Sequence, residues 1–233
     1  MGSPFLFDLN ITMPEPIEQT LQIILGPESK MRETTPLIYQ LPEKSTQPGE
    51  ARIRYLDISC CAARTTRKWL IREYGNIELQ IPGQKYQDQS EIFALIREPK
   101  ERWWSGVREW MTNLPWYAWW QNEKVMSQWP HFNRFTINQA TTLDQAKPQH
   151  LIKCDRDMSP RIYNFARKMK LRQYGPLVHV KNQRYLNPDI KRMQDKGRSQ
   201  LEAWLRKNPN YQKKLDDYLQ PDYAYWDRVK NQE

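Results

Sequence analysis

Apolar residues along this chain fall into short strand-length runs, each followed by a stretch with helical spacing. Glu91–Ile96 (Glu-Ile-Phe-Ala-Leu-Ile) is the clearest run; it stops at Arg97, turns through Pro99 and continues as a helix-like pattern from about Lys100 to Thr112. Ile53–Ser59 mixes β-branched and aromatic residues and reads as an earlier strand. It feeds a turn of small and polar residues at 60–66, and Arg67–Tyr74 then reads as a helix closed by Gly75. A third strand is expected at His150–Cys154, followed by a helix over Arg161–Met169 whose Ile162, Phe165, Ala166 and Met169 share one face. Gly197–Leu205 and Tyr211–Leu219 add two helical stretches separated by Asn208-Pro209.

Strands alternating with helices predict an α/β fold, a three-layer parallel sheet flanked by helices. Residues 51–233 fit one such domain. Residues 1–50, rich in Pro, Glu, Gln and Thr with apolar runs at Leu21–Leu25 and Leu37–Leu41, are expected to form an irregular or hairpin-like lead-in packed on it.

Charge adds one constraint. Against 36 Lys+Arg stand 27 Asp+Glu, a formal +9 with a pI near 9.4, so polyanions of several kinds are drawn to this surface without being told apart. No apolar run has the length to cross a bilayer, the first residues lack the basic and apolar regions of a signal peptide, and Leu6 stands where a myristoylation signal needs Ser or Thr. The expectation is a soluble, cytoplasmic protein. The three cysteines, Cys60, Cys61 and Cys154, make neither a disulfide framework nor a metal-ligand spacing, so no metal is expected.

Two strand-to-helix turns carry the candidate chemistry. The second, Arg97-Glu98-Pro99-Lys100-Glu101-Arg102-Trp103-Trp104-Ser105, sets cations and a hydroxyl beside a helix N-terminus, where unpaired N–H groups and the helix dipole favour phosphate. Its pattern Arg-[Asp/Glu]-Pro-x-x-Arg-x-x-Ser resembles the 3′-phosphate-binding element of sulfotransferases that use 3′-phosphoadenosine 5′-phosphosulfate (PAPS), above all the carbohydrate-acting ones. The first turn, Cys60-Cys61-Ala62-Ala63-Arg64-Thr65-Thr66, is similar to that family's 5′-phosphosulfate loop, with Thr65 and Thr66 on the hydroxyl positions. It departs from the family in having Cys61 or Ala62 where Lys is usual and Arg64 where a small residue is usual.

The resemblance extends patchily over residues 52–229. It includes His150–Asp157 as the late strand and acidic turn and Tyr218–Val229 as the last helix motif. It implies a fold akin to nucleotide kinases and transfer of a sulfuryl group from PAPS to a hydroxyl acceptor, a glycan first among them, without a metal. By resemblance, Arg97 and Ser105 hold the 3′-phosphate, Arg64, Thr65 and Thr66 hold the phosphosulfate with Arg64 as its cation, Lys181 or Arg184 contributes from a late loop that closes over the nucleotide, and Arg102 is structural. His131 is the candidate base, since carbohydrate sulfotransferases often carry a His on the acceptor side; Glu109 is its reserve.

Each of these residues also has a plainer reading. Thr65 or Thr66 can cap a helix, Arg97–Ser105 can be a Pro-started helix with solvated charges, and Lys181 can belong to a solvated turn. Seven of the ten Trp fall between Trp103 and Trp129; they can pack a helix onto the sheet or wall an acceptor cleft with ring faces. Two other functions compete. A nucleic-acid-binding protein would use the charge and the interleaved aromatics, although no zinc spacing, RNP-like strand or helix-turn-helix is present. A P-loop kinase would need Gly-x-x-x-x-Gly-Lys-[Ser/Thr], which the chain lacks.

Overall fold

Strands β1 (Leu37–Gln40), β2 (Arg52–Asp57), β3 (Glu78–Leu79), β4 (Ser90–Ile96) and β5 (His150–Lys153) are distributed among helices α1 (Ala63–Tyr74), α2 (Pro99–Met111), α3 (Gln139–Ala146), α4 (Met158–Lys168), α5 (Pro188–Lys207) and α6 (Pro209–Trp226). This computed structural model describes residues 36–42, 52–80, 90–111, 126–132, 135–172, 175–177 and 187–232, the side chains of 110 and 111 excepted.

The strands form one sheet in the order β3-β1-β2-β4-β5. Its β2-β4-β5 part is parallel, but β1 runs antiparallel to both β2 and β3. The fold is α/β as expected, whereas the all-parallel sheet is corrected to a mixed one. The reason lies in connection length: residues 41–51 between β1 and β2 are fewer than the dozen or so that a parallel crossover needs, so the second strand must return beside the first in the opposite direction.

Burial explains most shifts in helix boundaries. The small and polar residues at 60–66 predict a turn, with α1 from Arg67. The helix starts instead at Ala63, because Thr65 and Thr66 are buried and Thr66 N–H already bonds Ala62 C=O at 2.9 Å. α4 begins at Met158, ahead of the expected Arg161, and buries Met158, Ile162, Phe165 and Ala166. α5 begins at Pro188, not Gly197: Asn187 caps it by accepting from the Asp189 and Ile190 N–H groups, with Pro188 in the first turn where its missing N–H costs nothing. α6 runs on to Trp226 with Pro221 inside it. Leu177–Val180 reads as strand-like in the sequence but falls largely outside the described residues, and Leu177 itself is not in a strand.

Two apolar clusters fill the interior. The larger lies on the sheet. One face carries a chain of rings from Tyr55 to Phe93 (centroids 5.1 Å apart) and on to Phe165 of α4 (4.7 Å). The smaller joins Trp103, Trp104 and Val107 of α2 to Leu201 and Leu205 of α5 and Leu215 and Leu219 of α6. Hence α2 is built into the helical side of the molecule while its first turn stays at the carboxyl end of β4. Trp103, Trp104 and Trp129 are core residues, with the Trp103 ring N–H donating to Pro130 C=O at 2.9 Å. No helix among the described residues is long and apolar enough to cross a membrane.

Candidate functional site

Because β2 and β4 are adjacent and parallel, with Leu56 beside Ala94, both turns of interest leave the sheet at the same edge. In open α/β sheets that carboxyl edge is where ligands bind.

The first turn is tight. Cys60 (φ 66°) and Ala62 (φ 56°) both adopt the left-handed conformation, which costs a residue with a Cβ about 1–2 kcal/mol. Ala62 leads directly into the right-handed Ala63, a pairing that turns three successive N–H groups, those of residues 62, 63 and 64, toward one concavity suited to an anion. Ala62, at the N-cap, supplies no side-chain cap to this helix. Arg64 is exposed on its first turn. Thr65 and Thr66 point inward, and the Thr66 hydroxyl donates to Ala62 C=O at 3.2 Å, so neither residue caps the helix end.

The second turn places Arg97 half-buried, with Nη2 3.8 Å from Glu101 Oε2. Glu98 accepts the Glu101 N–H at 2.6 Å, capping α2 at Pro99, and takes a hydrogen bond from the Tyr223 hydroxyl at 2.9 Å. One turn further on lies half-buried Ser105, near enough to the Cys60 thiol to act on its ionisation. Burial pushes that thiol above its ordinary range; Arg102, then the Ser105 hydroxyl, draw it part of the way back.

Three buried side chains lock the turns together. Arg102 donates from Nε to Ser59 C=O at 3.1 Å and from Nη1 to Ile137 C=O, so the guanidinium crosses from the second turn to the first. Gln139, at the start of α3, bonds both main-chain groups of Arg97 and accepts from the Cys61 thiol at 3.2 Å. Asp222 of α6 accepts the Ala140 N–H at 2.7 Å, anchoring α3 by its N-terminus. Burial raises the Asp222 carboxyl above the usual range, while Arg102 pulls against that rise.

Arg64, Arg97 and Ser105 are thus brought to one edge, with Arg102 as their internal brace. His131 is half-buried and stacks on Tyr218 of α6, centroids 6.3 Å apart. Glu109 follows Ser105 by one helical turn, and its charge reaches the Cys60 thiol. Lys181 and Arg184 lie outside the described residues, as do Trp116, Trp119 and Trp120. Gln139 and Asp222 were not foreseen from sequence. Asn138 was a readable sign of a helix start, since its side chain accepts the Thr141 N–H at 3.0 Å, yet nothing local tells that the next residue reaches back to Arg97.

Compared with protein-family models, with curated proteins and with solved structures, the chain gives no match.

Proposed function

We propose that the chain is a PAPS-dependent sulfotransferase of the nucleotide-kinase-like fold, acting on a hydroxyl acceptor, a carbohydrate first among them. The observation that carries this reading is the Arg102 bridge. It holds the two turns side by side at the carboxyl edge of β2 and β4, as gripping opposite ends of one bisphosphorylated nucleotide requires.

In this reading the converging N–H groups of residues 62–64 and the exposed Arg64 take the 5′-phosphosulfate, with Arg64 in place of the family's Lys. Arg97 and Ser105 take the 3′-phosphate, the guanidinium and the hydroxyl both donating to its oxygens. The acceptor oxygen forms its bond to sulfur as the bond from sulfur to the 5′-phosphate oxygen breaks. The charge that grows on the departing 3′-phosphoadenosine 5′-phosphate is met by the first turn. The acceptor proton goes to a carboxylate, Glu109, one helical turn from Ser105 on α2; His131, stacked on Tyr218, is the alternative base.

Calorimetric titration with 3′-phosphoadenosine 5′-phosphate tests the binding half of the proposal. One equivalent should bind, and Arg97→Ala and Ser105→Ala should each weaken it by about tenfold or more, the effect of removing a charge-assisted hydrogen bond. Equal binding by folded variants and parent would remove the second turn from the site. A thermal shift by oligonucleotides that collapses with salt, without any by the nucleotide, would favour nucleic acid instead.

A further inference from the structure

A cavity of about 580 Å³ opens beside β5, between that strand, α4 and the turn after α6, and no residue of the two site turns lines it. The volume falls in the range of about 300–1,000 Å³ typical of small-molecule sites. Its charge is one-sided. Arg161, Lys168 and Arg228 line it together with His150, and no Asp or Glu does. The carboxylates near these cations lie outside the lining: Asp155 bonds Arg161 at 2.6 Å, and Glu91 pairs with His150. Asp227 pairs with Lys230 at 3.0 Å. Lys168 is exposed and has no acidic partner among the described residues. Arg228 lies over the Tyr225 ring at 4.8 Å, a contact that uses the guanidinium face and leaves its edge donors available.

The lining also offers apolar surface from Leu151, Phe165 and Val229. One wall is fixed by a single residue. The Gln232 side chain accepts the Lys153 N–H at 3.1 Å and donates to Leu151 C=O at 3.0 Å, while its main-chain carbonyl accepts from Arg161 Nε at 3.0 Å. These bonds occupy the outward polar groups of β5 that an added peptide strand would use, which argues against a peptide occupant.

We propose that this cavity binds a small organic acid, a flat apolar body ending in a carboxylate, sulfate or phosphate. The body would lie on Phe165 and Val229, and the acid group would reach Lys168 and Arg228. The inference is independent of the function proposed above.

Calorimetry with 2-naphthoate, 2-naphthyl phosphate and neutral 2-naphthylmethanol tests it on the full chain. The two acids should bind with one-to-one stoichiometry, the alcohol at least about tenfold more weakly, and Lys168→Gln and Arg228→Gln should each cost about tenfold in acid affinity. The double variant Arg97→Ala/Ser105→Ala should bind the acids as the parent does. Three results would each overturn the site: no binding of either acid, charge-neutralised variants within about twofold of the parent, or loss of binding in the Arg97/Ser105 variant.

Discussion

Gln139 holds Arg97 by both of its main-chain polar groups: the Arg97 N–H donates to Oε1 at 3.0 Å, and its C=O accepts from Nε2 at 2.9 Å. Gln139 itself is 1% exposed, so no water stands ready to replace it. Truncation in Gln139→Ala should therefore cost about 2–4 kcal/mol by leaving buried groups unpaired. Gln139→Glu keeps an acceptor for the N–H but offers none of the donors that the Arg97 carbonyl needs. Urea melts of both variants would check this; an unchanged midpoint for Gln139→Ala would show that the clamp is dispensable.

Gly106 of α2 marks a close approach of that helix to the main chain at Phe135. A Cβ there would lie 2.0 Å from the Phe135 carbonyl oxygen, a main-chain atom that cannot swing aside. Gly106→Ala should destabilise by at least about 2 kcal/mol despite the better helix propensity of Ala. At Gly175 the nearest atom to such a Cβ is a Glu73 carboxylate oxygen at 2.9 Å, the end of a side chain and not main chain, so Gly175→Ala should cost less. Thermal melts of the pair give the comparison, and the reverse ranking would contradict the packing described.

Glu109 and Ser105 divide the proposed chemistry between proton and phosphate. Glu109→Gln should lower turnover by about a hundredfold or more, the usual contribution of a general base, while leaving the affinity for 3′-phosphoadenosine 5′-phosphate within about twofold of the parent. Ser105→Ala should show the opposite split. Steady-state kinetics beside calorimetry separates the two, and undiminished transfer by Glu109→Gln would return the base to His131.

Asp155, in the turn after β5, gives stability a definite dependence on pH. Burial works against its carboxylate, but the Arg161 and Lys153 hydrogen bonds and the Asp157 N–H outweigh it and hold the pKa below the ordinary value. A depressed native pKa means that the folded state releases the proton more readily than the unfolded chain. The stabilisation is therefore complete above the unfolded value of about 3.9 and is lost as pH falls through the lower native value. Asp155→Asn should cost about 1 kcal/mol at neutral pH, and the gap from the parent should close toward pH 2. A gap that persists in strong acid would mean that the charge is not its source.

The parts of this molecule legible in its sequence are those set by neighbours along the chain. β4, the Pro99 start of α2 and the His150 start of β5 follow from runs of apolar residues and a proline. What escaped depends on distant partners. Thr65 and Thr66 are helical because the core takes their side chains, and Gln139 matters because folding carries it to Arg97, 42 residues away. The mixed sheet escaped because β3 is two residues long and β1 reads only as one apolar run in the lead-in, with nothing local to say that it joins the sheet. Arg102, expected to be structural from the family pattern, is 1% exposed and bonded to two main-chain carbonyls.

The central position of β4 bears on how the molecule is made. Its partners arrive from far along the chain: Ser90 meets Arg54 across 36 residues, and Ile92 meets Gln149 across 57. Asp222 joins Ala140 across 82 more. A ribosome releasing this chain would leave the apolar β4 without its second neighbour until β5 emerged, and α3 without its anchor until α6 did. Nascent chains stalled before residue 150 should be the ones that a chaperone holds longest.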